Sequence, residues 1–181
     1  MRSRILAPRA ALLVCLAALL AAPVSAQAQK ADAKKQYELA LDQAIIHYEQ
    51  FKIHLENKEN AKAMKELRSI VDIEFPDGYE GSDGVLLQVD AHILLGEMIV
   101  ENASKEKDAK KKAALIDDAV SLFRQGLLKA PAVHELTYQL YMDLGHAYKM
   151  AGKKDDALKA FENAQKINKK LQEAQKQNKS G

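Results

Sequence analysis

The stretch LGHAYKMAGKKDDALKAFENA, Leu144 to Ala164, sets Gly145, Ala147, Ala157, Ala160 and Ala164 at helical spacing where larger apolar residues would bury more area. Small residues on an apolar helix face let a second helix approach closely, because a longer side chain would hold the two backbones apart. The stretch therefore selects helix packed tightly on helix. It leaves two architectures, one hairpin of a simple bundle or one copy of a repeated helix pair.

The rest of the chain agrees with an all-α fold. Tryptophan is absent, Gly and Pro number 8 and 4, and the abundant Ala, Leu, Lys, Glu and Gln favour helix nearly everywhere. Six helices are expected. The first covers 31–56, with Tyr37, Leu41, Ala44, Tyr48, Phe51 and Leu55 spaced 4-3-4-3-4 on one face. The second covers 60–73, with Asn60 as N-cap and Ala63, Leu67 and Ile70 inward. The others are expected at 85–102, 105–129, 133–151 and from Asp155 to about Leu171, where a polar tail, 172–181, begins. Pro131 stops the fourth and Gly152 the fifth. The irregular stretch EFPDGYEGSDG, Glu74 to Gly84, carries four acids. They lack the alternating ligands, central Gly and terminal Glu of a helix–loop–helix calcium site, so it reads as a connector.

The N-terminus has a separate logic. Arg2, Arg4 and Arg9 precede the apolar run Ala10–Ala22, Pro23 is expected to break the helix, and Val24 and Ala26 are small residues at the positions a signal peptidase reads. Residues 1–26 thus read as a cleavable secretory signal. The run of 13 residues falls short of the roughly 20 that a spanning helix needs. Cys15, the one cysteine, lies inside it, so the mature chain's stability must come from packing without disulfides. Cleavage after Ala26 or Ala28 leads to the periplasm, with release from the cell as the alternative. No membrane insertion of the mature chain is expected.

Removing the signal also changes the charge. The whole chain has 27 basic and 25 acidic side chains; losing three arginines leaves 24 against 25. No basic surface remains to attract nucleic acid. About 155 residues make one domain with room for one sizeable core.

From Tyr141 the order is aromatic, Leu144-Gly145, Tyr148, then Ala157, Phe161 and Ala164. This resembles the tetratricopeptide repeat, a helix–turn–helix unit with that sequence of large and small positions. An upstream copy has His92, Leu95-Gly96 and Ile99, followed by Ala119, Phe123 and Pro131. Phe123 and Phe161 are 38 residues apart but Gly96 and Gly145 are 49 apart, which places an 11-residue insertion within NASKEKDAKKK. Eleven residues make about three helical turns, so the hairpin lengthens with its apolar faces aligned. The first hairpin, 31–76, has Phe51 where the glycine should be and reads as a divergent or capping unit. The second unit is 85–131 and the third 133–171, within a repeat domain of 27–171. The resemblance implies antiparallel hairpins stacked as a short right-handed solenoid. It also implies that Gly145 and Ala157 mark the contact between a unit's two helices, and that Ala164 admits the helix of a neighbouring unit. A three-hairpin bundle is the alternative.

In such arrays the first helix of each unit lines a concave groove. The resemblance carries that role to Asp90, Ile93, Glu97 and Glu101 in the second unit, and to Gln139, Met142, His146, Lys149 and Met150 in the third. The methionines would supply adaptable apolar contact, with Glu97, His146 and Lys149 fixing register. The Lys and Asn by which related units clamp a terminal carboxylate are not paired here.

Catalytic patterns are missing from the sequence: there is no Gly-rich phosphate loop and no His-Glu-x-x-His. His47 and His54 share a helical face but stand two turns apart, about 11 Å, too far for one metal ion. The expectation is a non-enzymatic exported scaffold without metal or cofactor, holding a protein or peptide partner in its groove. The rival is a structural protein that oligomerises through the Tyr37–Leu55 stripe of its first helix.

Overall fold

A computed structural model describes the backbone of residues 11–179 and the side chains of residues 27–177. Among the described residues the fold is all helix, with no strand. The six helices are α1 Ala11–Glu56, α2 Asn60–Val71, α3 Asp83–Lys105, α4 Ala109–Lys129, α5 Glu135–Met150 and α6 Lys154–Lys179. No helix of the described residues is long and apolar enough to cross a membrane. The basic start of the expected signal, Arg2, Arg4 and Arg9, lies outside the described residues. So do the side chains of Cys15, Val24 and Ala26.

Several boundaries differ from the sequence reading for local reasons. Helix α1 runs through Pro23, because the flanking alanines and leucines are strong helix formers and a proline forfeits one backbone hydrogen bond. Asn60 is the first helical residue of α2 rather than its cap; Glu59 holds the cap position without a side-chain cap bond. The Glu59 carboxylate is taken instead by His54 Nδ1 at 2.6 Å and Lys62 Nζ at 2.8 Å. Helix α4 starts at Ala109 because the Asp108 carboxylate accepts from the N–H groups of Lys110 and Lys111, an N-cap bond of the usual kind. It ends at Lys129 with Ala130 extended, the conformation a following proline imposes. At α5 the cap is His134, whose Nδ1 accepts from Leu136 N–H. Helix α6 continues past Leu171 to Lys179, since Gln, Glu, Ala and Lys sustain helix where no breaker intervenes.

Successive helices pack on one another throughout, and two further packings join α1 to α3 and α3 to α5. Helices α2 and α4 do not pack together, nor do α4 and α6. An exposed ion pair, Arg68 with Asp118 at 3.1 Å, reaches from α2 to α4 across the surface. Helix α3 thus sits at the centre, packed by α1, α2, α4 and α5. Its Val89, Ala91, Leu95 and Ile99 are fully enclosed with Leu67 and Ile70 of α2, Phe123 of α4 and Leu140 of α5.

The small residues do what their spacing implied. A Cβ on Gly96 would overlap the Phe123 ring, and one on Gly145 would stand 2.5 Å from Phe161 Cε1. The same glycine–phenylalanine contact is therefore made twice, between α3 and α4 and between α5 and α6. Phe123 is fully buried, whereas Phe161 is half-buried. The difference follows from the packing order: α5 covers α4, and among the described residues nothing follows α6. Ala164 is likewise buried, but against α5, since α6 packs on no other helix.

The α2–α3 connection is tied down from both sides. Tyr37 of α1 stacks on Tyr79 with ring centroids 4.2 Å apart, and its hydroxyl accepts from Gly84 N–H at 3.2 Å. Gln88, wholly buried, aims its amide nitrogen at the carbonyls of Ile70, Val71 and Ile73. The first two belong to the last turn of α2, whose carbonyls lack the usual intrahelical partners, and the third to the segment just beyond it, so one α3 side chain closes the end of α2 and the start of the connection. Glu80, one of the four acids in this segment, accepts from Gly78 N–H.

Candidate partner-binding face

Helices α3 and α5 touch along part of their length and leave a cleft of about 250 Å³ between them. Its walls are Glu97, Val100, Glu101 and Ser104 of α3, Phe123 of α4, and Asp143 and His146 of α5. The apolar floor, Val100 and Phe123, belongs to the core; the rim is mostly carboxylate.

The carboxylates are linked. Gln139 Nε2 lies 3.4 Å from Glu97 Oε1 and 3.1 Å from Asp143 Oδ2, so one amide donates to an acid on each helix. Burial is the main cause that lifts the Asp143 carboxyl, to about 6, and the Glu97 charge adds to it while the Gln139 hydrogen bond opposes. The Glu97 carboxyl is also raised, first by burial and further by Asp90. Two turns back along α3, burial raises Asp90 too, against the hydrogen bond from the Tyr48 hydroxyl of α1 at 3.5 Å. Asp90 and Glu97 thus form a row of two acids along α3, reinforced by Asp143 on α5. Each is harder to ionise than a free carboxyl because water has been withdrawn, and for Glu97 and Asp143 because a neighbour carries like charge.

The basic residues nearby do not neutralise this row. Lys105 pairs with Glu101 at 2.5 Å, an exposed pair one turn apart. His146 turns its ring edge-on to Phe161, centroids 5.2 Å apart, which holds the imidazole at the cleft mouth.

The structure therefore brings together Glu97, Glu101, Gln139 and His146 of the residues expected in the groove, with Asp90 further along α3. Others fall elsewhere or apart. Ile93 is buried in the core, 4 % exposed, because α3 is surrounded by four helices. Met150 lines a different hollow, beside Ala109, Ala113 and Ile116 at the start of α4, so it does not share a surface with the cleft. Lys149 is exposed and Met142 half-buried on α5. Asp143 is a cleft residue that the sequence reading does not include. Its signal was present, four residues after Gln139 and three before His146, both placed on that face. Among the described residues no group of three or more His, Cys, Asp or Glu is arranged to hold a metal ion.

A comparison with known proteins adds no borrowed function to this geometry: no family model, no curated protein and no solved structure matches the chain.

Proposed function

We propose that this chain is an exported, non-enzymatic scaffold of the tetratricopeptide type. Its antiparallel hairpins stack as a short solenoid, and the α3–α5 face holds a segment of a partner protein. The single observation that carries the reading is the acid-rimmed cleft on an uncovered face of adjoining helices. The serial packing of α1, α3 and α5, with α2, α4 and α6 not packed on one another, supports the solenoid. The partner segment should present cationic side chains, because Asp90, Glu97 and Asp143 are held together at a cost in ionisation that an incoming Lys or Arg would relieve. Affinity would come from apolar contact on Val100 and Met142, and register from the charges. The basic, apolar and cleavage regions at the N-terminus support a destination in the cell envelope.

Of the apolar stripe of α1, Tyr37, Leu41, Ala44, Tyr48 and Phe51 are half-buried or buried within the chain, and Leu55 at its end is exposed. That use of the stripe speaks against the rival in which those residues pair between molecules.

The test is a pull-down from cell envelopes with tagged protein, cross-linked and read by mass spectrometry. A second bait carrying Glu97→Lys and Met142→Glu runs beside it, with circular dichroism to confirm that it stays helical. A partner captured by the first bait should fall about tenfold or more with the second, as for loss of central interface residues. Equal capture by a helical second bait would overturn the assignment of the face.

A further inference from the structure

A single nitrogen of Gln139 spans the acids on the two sides of the seam between α3 and α5. Its Nε2 lies 3.4 Å from Glu97 Oε1, 3.3 Å from Asp143 Oδ1 and 3.1 Å from Asp143 Oδ2. An amide nitrogen has two hydrogens to give, and an ionised carboxylate can only accept. Well-made N–H···O bonds close to about 2.9–3.0 Å, and these are longer. With both acids ionised, the amide bridges the seam without drawing it shut. Among the described residues neither carboxylate makes a salt bridge: Lys105 is taken by Glu101, and His146 lies against the Phe161 ring.

One added proton changes the balance. A protonated Asp143 loses its charge, so its repulsion of Glu97 ends, and it gains an O–H donor. An O–H···O bond to a carboxylate is short and strong, about 2.5–2.7 Å, and Glu97 is the acceptor across the cleft. The helices have room to approach, since about 250 Å³ lies open between them. We propose that a proton shared between Asp143 and Glu97 latches α5 against α3 and narrows the cleft, and that its loss opens the cleft again. The proton comes from water and returns to it, and no covalent bond but O–H is made or broken.

The surroundings decide where the latch works. Burial and the Glu97 charge lift the Asp143 carboxyl to about 6, against the Gln139 hydrogen bond. Asp90, two turns back along α3, adds its charge to Glu97. The other titratable groups lining the cleft are Glu101, paired with Lys105, and His146. Helix α4 contributes Phe123 to the cleft and α6 meets His146 through Phe161; neither adds a charged group to the lining. The latch therefore closes as pH falls through about 6 and opens as pH rises. It goes beyond the partner reading, because the helices move with nothing bound. Only its consequence, release of a cationic segment in mild acid, rests on that reading.

The experiment uses the full chain carrying Cys15→Ser, spin-labelled at Asn102→Cys and Lys149→Cys. These are exposed positions on α3 and α5 that do not line the cleft. Pulsed electron double resonance reads the distance between the labels at pH 5 and pH 7.5. The mean should be shorter at pH 5 by about 1–2 Å, a helix shift of the size by which packed interfaces switch. Asp143→Asn supplies an uncharged donor at every pH, so this variant should show the short distance at both. His146→Gln should keep the pH response of the parent. Equal distances in the parent, a pH-dependent distance in Asp143→Asn, or a response lost in His146→Gln would each overturn the latch.

A carboxyl-carbon NMR titration gives a second reading. A shared proton belongs to the pair, so Glu97 should respond together with Asp143 at the step near pH 6. A Glu97 signal that ignores that step would also overturn the proposal. Both measurements are made without a partner, so their failure is separate from that of the pull-down.

Discussion

Phe123→Ala should lower the free energy of unfolding by about 3–5 kcal/mol, the usual cost of deleting a fully enclosed aromatic ring. Phe123 has no exposed surface, and its ring fills the space left open at Gly96. The more telling result comes from Gly96→Ala. In the native background two effects oppose each other. Alanine favours helix over glycine by about 1 kcal/mol, while a methyl driven into the Phe123 ring costs about 1–3 kcal/mol in overpacking. The ring lies too close to Gly96 for a small adjustment, so the clash should win and the variant should be destabilised. Once Phe123 is replaced by alanine the clash is gone and the helix preference remains. Gly96→Ala should then stabilise the protein. Urea unfolding of the four proteins in the cycle reads this sign reversal directly. A Gly96→Ala effect of the same sign and size in both backgrounds would mean that glycine is not there for the ring.

Asp143→Asn should make the protein more stable at neutral pH. The Asp143 carboxyl titrates near 6 in the folded chain, against an ordinary 3.8, so the folded state holds its proton more tightly than the unfolded state does. Below about pH 4 the group is protonated in both states and costs nothing. Between about 4 and 6 the unfolded chain ionises first, and stability falls as pH rises. Above about 6 the full penalty is present. Two pH units correspond to roughly 3 kcal/mol as a ceiling; with the side chain half in contact with water, roughly 1–2 kcal/mol is expected. Asparagine keeps the shape and removes the charge, so melts of the two proteins should nearly coincide at pH 4. They should separate at pH 7.5, with the asparagine variant the more stable. The buried His92 works in the opposite direction. Burial holds its imidazole below the usual range, so stability falls as pH drops below the ordinary 6.5 at which the unfolded chain takes its proton, but this contribution is common to both proteins and cancels in the difference. Coincident melts at pH 7.5, or a less stable variant, would show that Asp143 is not strained by its surroundings. A carboxylate kept ionised at such a cost is suited to receive a cation. Binding of one should draw the carboxyl back toward its ordinary range and release a fraction of a proton near pH 6.

The helices and their close contacts were legible because they follow from spacing. Periods of three and four located all six, and the small residues marked where helices approach, although the sequence pairs Gly145 with Ala157 whereas the atoms nearest a Cβ at Gly145 are those of the Phe161 ring, as Phe123 is nearest at Gly96. What the sequence concealed depends on neighbours distant along the chain. Ile93 lies on a turn that looks free until α5 folds against α3. Met150 stands two turns along α5 from Met142, yet the lengthened start of α4 reaches past it and draws it into another hollow. Gln88 resembles a surface residue by type, and becomes a core residue because the end of α2 and the segment that follows it supply three carbonyls within its reach. Asp143 sits among apolar neighbours in YMDLGHAY, where its meaning appears once Glu97 is known to stand across the cleft. Leu39, Ile46 and Ile53, seven residues apart and exposed on the outer side of α1, were also in plain view, but the inward stripe runs along the same helix and its larger aromatics masked them.

The half-exposed ring of Phe161 also has a genetic consequence. Phe123 is closed off by the hairpin that follows it, and Phe161 occupies the same place with no successor among the described residues. A tandem duplication of residues 127–164, one 38-residue period that carries the 130–134 turn with it, would deliver a new helix to the side of α6 in the way that α5 is delivered to α4. The copy would bring its own glycine and phenylalanine, and thus its own internal lock, with no compensating change in α1–α4. The C-terminal flank is in this sense the place where a further hairpin would fit.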